Sequence, residues 1–329
     1  SMAKEASKQN ASDDTGALGT LRRIWDELVT LSSLHFHHVS PQSAYDLAPG
    51  LAQSIIMNGT EKCMSAGQLL NENSTTLPLE ALVDFSSRLC PTNCILERSS
   101  EGAWKEQEEY FKNHTDNDGV FGLQTEQWYG VQYYVSKIPQ SVVQMWDDDQ
   151  HEDKSLAIPR PNPFIPRTLE LYSEEAKNGP HIDKEITPPN LLANLDGRVR
   201  LWHRLDDRYS LPKSTLTILM RTPTVENVVE NGIWKYDVRA SVCSQMMMSM
   251  FSEAMAQETY DALLAGLNSS MSSSPTGIRL GCSGFSDRLS EFATVVLDAF
   301  LRMETPTGRS WFLESYFGTV KDRMVRRLD

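Results

Sequence analysis

The sequence predicts an α+β protein: two segments, each with helices and antiparallel strands, joined by a proline-rich connector. Three observations support this prediction. Apolar residues recur at helical spacing in several stretches, they alternate as in half-buried strands in others, and four prolines fall within 157–168. A chain of 329 residues, 40% hydrophobic and 23% charged, is long enough for two ordinary globular domains.

The first half of the chain carries mainly helical patterns. Residues 1–16 are polar, resemble a tag remnant followed by a solvated leader, and are left out of the fold prediction. Leu, Ile and Trp then recur on one helical face, and Asn58-Gly59 is a stop signal. The predicted helices cover 20–38, 40–59, 78–93 and 141–146. Residues 94–100 suit a short strand, and the polar stretch 101–118 suggests an insertion or surface loop.

The stretch "TEQWYGVQYYVSKIP" (125–139) is unusually aromatic and is followed by the acidic run 147–153. Its bulky side chains favour an extended segment. We expect its rings to pack against a sheet and to close the first segment, with a binding platform as the alternative. Residues 157–168 come next, and their prolines exclude both helix and central strand, so they predict a stiff extended connector.

The second half alternates strand and helix patterns. We expect a loop over 181–192, two strands around a turn over 197–223, and a long helical region of two helices over 225–267. A serine-rich turn, a strand, an amphipathic helix and a helix running to the end of the chain complete the prediction. These four cover 269–275, 277–285, 286–303 and 309–329.

Charge and composition exclude several classes of function. The net charge is −13, and basic residues adjoin one another at most in pairs, such as Arg326 and Arg327, whereas phosphate binding needs clustered cations. We therefore expect binding neither to nucleic acid nor to anionic membranes. No window approaches the roughly 18 apolar residues that a membrane span needs. An acidic surface keeps a protein soluble and can steer cationic or peptide ligands.

The cysteine pattern and the sequon pattern point to different compartments, the cytoplasm and the secretory pathway, and both stay possible locations. The chain has five cysteines, an odd number, and the pair in "CPTNC" (90–94) matches neither zinc nor redox spacing, so reduced thiols are expected. Four Asn-x-Ser/Thr sequons point the other way, toward a secretory route. They begin at Asn58, Asn73, Asn113 and Asn268.

A search for catalytic motifs finds none. "HFHH" (35–38) lacks the helical i, i+4 pair and the nearby acidic residue that a zinc site requires, and it suits a helix end instead. The sequences "HED" (151–153) and "HIDKE" (181–185) suit solvated surface. His-x-x-Glu-His, Gly-x-Ser-x-Gly, the Walker loop and Gly-x-Gly-x-x-Gly do not occur. The methionine run 245–255 has helical spacing and predicts core, with an adaptable peptide groove as the alternative.

Four ordered motifs resemble the insulin-degrading-enzyme branch of the pitrilysin family of zinc peptidases. They are the Glu-Trp-Tyr-Gly-x-Gln-Tyr segment, the Phe-Ile-Pro connector, the Leu-Trp-x-x-x-Asp-Asp-x-x-x-Leu-Pro-Lys turn and the helix end "YDALLAGL" (260–267). The matching residues of the first three are Glu126, Trp128–Gly130, Gln132, Tyr133, Asn162, Phe164–Pro166, Leu201, Trp202, Asp206, Asp207 and Leu211–Lys213. Gln127 is an insertion relative to the family pattern. The resemblance is looser over 18–100, and none is evident around 101–124.

The resemblance implies a domain layout. Family members have four similar α+β domains that enclose a chamber, with zinc held by the first. On this basis 17–150 is the C-terminal part of the second domain, 151–190 an extended linker, and 191–329 the N-terminal part of the third. Both domains are inactive copies that shape the chamber and hold peptides. No zinc ligand or catalytic residue is carried over, so the chain alone is expected to be inactive.

Site predictions follow from this layout. The aromatic residues are expected to pack at domain junctions, and no substrate-binding residue can be named. The predicted packing residues are Trp128, Tyr129, Tyr133, Phe164 and Trp202. Two functions remain: a non-catalytic central fragment of a zinc endopeptidase, whose partners are peptides and the remaining domains of the same polypeptide, or a peptide-binding scaffold from a pseudopeptidase without the zinc motif.

Overall fold

A computed structural model describes the chain in seven stretches. They are residues 16–70, 76–113, 122–147, 157–222, 227–230, 233–274 and 277–327. The chain divides into two compact units: Thr76–Pro159 with the chain up to Arg23, and Ile24–Thr75 with Arg160–Asp329. The domain boundaries implied by the family resemblance stay a prediction. The acidic run and its "HED" lie outside the described residues, apart from Asp147.

Two N-terminal helices form where the helical spacing predicts them. Helix α1 spans Gly16–His37 and α2 spans Ala44–Asn58. The Ser43 hydroxyl caps the start of α2 by accepting from the Asp46 N–H, and Gly59 ends it with φ 76°. The predicted stop at Asn58-Gly59 is therefore confirmed.

The unit built around Thr76–Pro159 is mainly helical, with one small hairpin. Its elements are α3 (Leu79–Arg88), a 3₁₀ turn (Pro91–Asn93), α4 (Glu101–Asn113), β1 (Gly122–Thr125), β2 (Gln132–Val135) and α5 (Gln140–Asp147). Two predictions are wrong here. Residues 94–100 form no strand, since no partner strand lies beside them. The expected loop after residue 100 is instead a helix as far as Asn113.

Local interactions explain helix α4. The Ser100 hydroxyl accepts from the Ala103 N–H at 3.1 Å and thereby caps the first turn. Glu101 pairs with Lys105 four residues on, at 2.6 Å. Ala103 is buried, and the ring of Trp104 lies 4.8 Å from that of Tyr134 on β2. The polar composition therefore belongs to the solvated face of an amphipathic helix.

The second unit holds the larger sheet and its covering helices. Its remaining elements are α6 (Glu174–Lys177), β3 (Asn190–Leu195), β4 (Val199–His203), β5 (Lys213–Arg221), β6 (Asn227–Glu230), β7 (Ile233–Tyr236), α7 (Val238–Glu258), α8 (Tyr260–Leu264), β8 (Asn268–Ser274), β9 (Gly277–Phe285), α9 (Ser286–Arg302) and α10 (Glu314–Val325). Strand β9 lies at the centre of a three-stranded antiparallel sheet, between β5 and β8. The hairpins β3–β4 and β6–β7 are separate two-stranded sheets.

One face of the three-stranded sheet forms the core with α7 and α9. Alternate residues of β9, Leu280 and Cys282, are buried, and Ile218 and Met220 of β5 pack beside them. The buried cluster is completed by Phe251, Ala254, Met255, Ala262, Leu267, Leu289, Phe292, Ala293, Val296, Ala299 and Trp311. The Trp311 indole N–H donates to the Ala299 carbonyl at 2.9 Å. Burying a large apolar side chain of this kind stabilises the fold by about 2–3 kcal/mol.

In the second unit some of the sequence predictions are confirmed and others are wrong. Strand 277–285 and helix 286–303 are confirmed, and Met250 and Met255 of the methionine run are buried as predicted. The helical region over 225–267 is wrong at its start, where β6 and β7 form a hairpin. The Asn-Gly at 231–232 is the signal that could have revealed it.

Strand pairing accounts for three further differences. The serine-rich 269–275 forms strand β8 because β9 offers it a hydrogen-bonding partner. The last residues of the predicted loop over 181–192, from Asn190 onward, belong instead to strand β3. The two strands expected over 197–223 both form, but each pairs elsewhere, β4 with β3 and β5 with β9.

The proline-rich connector has neither helix nor strand over 157–168, as predicted. It is anchored to the second unit by side chains at both ends. The Asn162 amide donates to the Asp261 carbonyl at 2.7 Å, and the Arg167 N–H donates to the Asp287 carboxylate at 2.8 Å. Phe164 packs edge-on against Phe292, with ring centroids 5.8 Å apart. Residues 162–167 of the connector are thus held against the core of the second unit.

Candidate functional site

The aromatic stretch forms a tight turn organised by one carboxylate. Glu126 lies at the end of β1, and its two side-chain oxygens accept from the backbone N–H groups of Trp128 and Tyr129, each at 2.6 Å. The Glu126 N–H donates to the Val131 carbonyl at 2.8 Å, and the Gly130 N–H donates to the Glu126 carbonyl at 3.1 Å. Four hydrogen bonds therefore hold a turn of six residues, and Gly130 supplies its positive φ of 68°.

This aromatic turn, Glu126–Val131, presents its two largest side chains to solvent. Trp128 is 83% exposed and Tyr129 88% exposed. Among the described residues neither ring is buried against the sheet, contrary to the expectation. Tyr133 is also exposed, and of the four aromatics Tyr134 is the one that packs, between Trp104 and Phe111. A role for Trp128 and Tyr129 at a domain junction stays a prediction.

The other two predicted packing residues differ from each other. Phe164 is partly buried against the core of the second unit. Trp202, on β4, is 53% exposed, and all five side chains of that strand are exposed. Sequence reasoning therefore located the aromatic residues but not the direction in which each ring points.

A second cluster joins the end of α1 to the start of β5. The Lys213 ammonium donates to the His38 carbonyl at 2.5 Å and lies 5.3 Å from the Phe285 ring centroid. Partial burial is the main reason that the pKa values of His35 and His38 are lowered, and the positive charge of Lys213 lowers both further. Burial also lowers the pKa of Lys213 itself. This cluster caps the α1 C-terminus.

The third feature is a polar network around Asp207, a residue of the Asp-Asp motif. Asp207 is 7% exposed, and its carboxylate accepts from the Ser173 hydroxyl at 2.8 Å and from the Lys184 ammonium at 2.9 Å. The hydrogen bond from Lys184, followed by that from Ser173, holds the pKa of Asp207 below its usual value. Lys184 also pairs with Glu175 on α6. The network ties the predicted loop, including "HIDKE", to the turn between β4 and β5.

A long groove runs between β4 and β5. Its volume is about 1910 Å³, and it is lined by every residue of both strands together with residues 170–173 and with Ser283 and Gly284 of β9. Its walls mix apolar side chains with hydroxyl and backbone groups.

The described residues form neither a metal-ligand cluster nor a membrane-crossing helix. Across the described stretches, no group of three or more His, Cys, Asp or Glu side chains comes together as metal ligands. No described helix combines the length and apolarity that crossing a membrane requires. All five cysteines are described and free, and burial raises the pKa of Cys282.

Comparison with known proteins gives a consistent result. The family model for the middle or third domain of peptidase M16 matches residues 36–329. Insulin-degrading enzyme from Bos taurus is 24% identical over 95% of this chain and 26% of its own length. Insulin-degrading enzyme-like 2 from Arabidopsis thaliana is 23% identical over 94% of this chain and 27% of its own. The chain thus spans about a quarter of the length of these relatives.

The fold also has a solved counterpart. The crystal structure of pitrilysin matches 100% of this chain and 29% of its own, with a TM-score of 0.57 at 16% sequence identity. At that identity the likeness concerns the fold alone, and it agrees with the predicted α+β class of helices packed on antiparallel sheet.

Proposed function

The chain belongs to the peptidase M16 family, and from that membership we propose that it is a non-catalytic segment of an insulysin-like zinc endopeptidase. In this role it forms part of a chamber wall and holds peptide substrates while another domain cleaves them. Its relatives named insulin-degrading enzyme act on a peptide hormone, which makes peptides the substrate class to test. The pseudopeptidase scaffold is the alternative.

The exposed aromatic turn is the single observation that carries the peptide-holding role. Two large rings that are more than four-fifths exposed stand on a turn whose backbone is already held by hydrogen bonds to Glu126, so a ligand does not have to order that backbone when it binds. Aromatic side chains also provide much of the binding energy at peptide and protein interfaces. The same rings are an unusual feature for a surface that contacts only water.

The chain's own residues do not fit a zinc centre. It contains no His-x-x-Glu-His, and its described residues provide no ligand group. His35 and His38 lie beside the Lys213 ammonium, whose charge opposes a bound cation. No catalytic step is therefore assigned to this chain. Zinc chemistry belongs, in this proposal, to another domain of the same polypeptide.

The peptide-holding role can be tested with fluorescein-labelled insulin B chain and fluorescence anisotropy. We expect saturable binding to the chain, and about threefold to tenfold weaker binding for Trp128→Ala and for Tyr129→Ala, since one aromatic contact contributes about 0.5–1.5 kcal/mol. Tyr45→Ala is the matched control, because Tyr45 is also 88% exposed but lies on α2. Thermal midpoints should be the same in all four proteins.

Two results would count against this role. Equal weakening by Tyr45→Ala would show that any exposed ring suffices. A lower thermal midpoint for Trp128→Ala with unchanged peptide binding would support the junction role predicted from sequence instead of the peptide-holding role. The pseudopeptidase alternative is tested separately: the full-length gene product is assayed for bound zinc and for cleavage of the same peptide, and absence of both supports the scaffold.

A further inference from the structure

We propose that Cys90 and Cys94 form a dithiol site that small disulfides, such as oxidised glutathione, convert to an internal disulfide bond. The site lies in the unit built around Thr76–Pro159, on the 3₁₀ turn that follows α3. This inference does not depend on the peptide-holding role, because it concerns a reaction of two thiols and not the binding of a substrate.

The 3₁₀ turn brings the two cysteines close together. Cys90 and Cys94 directly flank the three residues Pro91–Asn93, and both have extended backbone conformations. The Asn93 N–H donates to the Cys90 carbonyl at 3.0 Å, a hydrogen bond that folds the chain back on itself as in a β-turn. The Asn93 side-chain amide donates to the Arg88 carbonyl at 2.9 Å, which anchors the turn to the end of α3.

Both sulfur atoms contact the same short turn. The Cys94 thiol donates to the Pro91 carbonyl at 3.2 Å, and the Cys90 sulfur lies 3.4 Å from the Thr92 hydroxyl oxygen. Pro91 and Thr92 are adjacent residues, so each thiol lies over the backbone that separates it from the other. A turn held in this way keeps the effective concentration of one thiol at the other high, which favours an internal bond over reaction with a second molecule.

Reagents in solution can reach this pair, and within its unit each cysteine has the other as its partner. Cys94 is exposed and Cys90 is half-buried. The remaining three cysteines belong to the second unit, where Cys282 is buried. A thiol oxidised in the unit around Thr76–Pro159 therefore has one cysteine of that unit with which to pair.

The reaction is thiol–disulfide exchange in two steps. The exposed Cys94 loses its proton, and its thiolate attacks one sulfur of the small disulfide, which forms a mixed disulfide and releases the other half as a thiolate. The Cys90 thiolate, to which the Thr92 hydroxyl can donate, then attacks the Cys94 sulfur and releases the second half. Two protein thiols are oxidised, one small disulfide is reduced to two thiols, and these take up the two protons that the cysteines lose.

Spacing alone does not reveal this site. Redox pairs typically have two intervening residues, whereas this pair has three, so the sequence predicts reduced thiols. The structure has both thiols free and adds the turn that brings them together. Residues 94–99 belong to no helix or strand, so Cys94 can move toward Cys90 to reach the geometry that the bond requires.

Peptide mapping by mass spectrometry tests the proposal on residues 1–329 treated with oxidised glutathione and quenched with iodoacetamide. Trypsin should release both cysteines in one peptide, Leu89–Arg98, because no Lys or Arg lies between its ends. We expect this peptide to lack two hydrogen atoms and to resist alkylation. Cys243 is the internal control, since it is exposed on α7 without a second cysteine on that helix, and it should carry glutathione instead.

A matched variant isolates the contribution of the second thiol. In Cys90→Ser no thiol is in place to resolve the mixed disulfide, so the amount of glutathione on Cys94 should be about tenfold higher than in the wild type, or more. The amount on Cys243 should be the same in both proteins. Far-UV circular dichroism before and after treatment shows whether the variant and the oxidised protein keep the fold.

Three outcomes would overturn the proposal. Glutathione on both cysteines of the wild-type peptide, without loss of hydrogen, would show that the thiols do not meet. Equal amounts of glutathione on Cys94 in the wild type and in Cys90→Ser would show that Cys90 does not resolve the mixed disulfide. A disulfide that joins two molecules, and that increases with protein concentration, would identify a second copy as the partner.

Discussion

Glu126 shows how one side chain can determine what a surface presents. Without its two hydrogen bonds to the Trp128 and Tyr129 N–H groups, those groups would be bonded only to water and the turn would sample several conformations. The family motif includes this glutamate, but the motif alone does not indicate that the carboxylate folds back onto the turn. Gly284 is a second residue whose role is evident only from its surroundings.

Gly284 has φ 141°, and a Cβ atom there would lie 2.4 Å from the Gly266 carbonyl oxygen. Because backbone atoms cannot yield as a flexible side chain can, we expect Gly284→Ala to destabilise the protein by roughly 2–3 kcal/mol or more. Urea unfolding measures the change. Gly308→Ala is the matched control, since Gly308 also has positive φ but open space around it. Equal losses of unfolding free energy in the two variants would mean that backbone strain at positive φ, and not the contact with the Gly266 carbonyl oxygen, causes the destabilisation.

At the level of helices and strands, two polar contacts hold the second unit's irregular segments. Lys213, the first residue of β5, donates to the carbonyl of His38, the residue that follows α1. The Asp207 network joins α6 and the following loop to the β4–β5 turn. Both contacts come from the Asp-Asp and Leu-Pro-Lys motif, which explains in physical terms why these residue types occur together.

Lys213→Met should raise the pKa of both His35 and His38, because it removes the positive charge that helps to lower them. Imidazole NMR signals followed through a pH titration measure the change. Lys105→Met, in the other unit and on a solvated ion pair, is the control. If the imidazole pKa values stay the same in Lys213→Met, the Lys213 charge does not lower them, and burial, with His37 in the case of His38, accounts for the shifts.

The same pKa shifts give the wild-type protein a pH dependence. A histidine whose pKa is lower in the folded state is stabilising when neutral, so its contribution is complete above about pH 6.5 and declines as pH falls below that value. Thermal midpoints measured from pH 8 to pH 5 should therefore decline more in the wild type than in the His35→Gln, His38→Gln double variant. His37, which also lowers the pKa of His38, is kept in both proteins.

Asp207→Asn should destabilise the protein at neutral pH. The pKa of this carboxyl is lower in the folded state, so its stabilising effect is complete above about pH 4 and declines as pH falls through the folded-state pKa. The difference in thermal midpoint between wild type and variant should therefore shrink toward acid pH. Asp84→Asn, on an exposed helical ion pair, should change little at any pH.

For the molecule as a whole, the distribution of apolar surface matters more than its amount. Large apolar side chains remain exposed on the aromatic turn, on β3–β4 and on α2, where Ile56 is 85% exposed. Large exposed apolar surfaces mark sites that contact other protein. They agree with a chain that spans about a quarter of its relatives' length.

Residues 1–329 should consequently bind the dye ANS with strong fluorescence, and the full-length gene product should bind less per mole. Fluorescence titration of both proteins at one temperature makes the comparison. Near-UV circular dichroism is needed as a control, because a molten globule also binds ANS. Stronger binding by the full-length product would contradict the assignment of these surfaces to contacts within the polypeptide.

Much of the secondary structure could be predicted from sequence, for identifiable reasons. Helices α1, α2 and α9 have apolar residues at helical spacing, and β9 has buried residues at alternate positions, so periodicity alone identifies them. The failures share a cause. The residues of α4 look like a loop because one face is highly polar, and those of β8 look like a turn because serine is a weak strand former that β9 nevertheless pairs.

The amino-acid order alone was enough to establish the α+β class, the absence of the zinc motif and the family, since these depend on residue types and local spacing. Tertiary structure alone decided that β4 and β5 pair with other strands, that Trp128 points to solvent, and that Lys213 meets the end of α1. The physical reason is distance along the chain: Lys213 and His38 are 175 residues apart, and no local pattern reports such a contact.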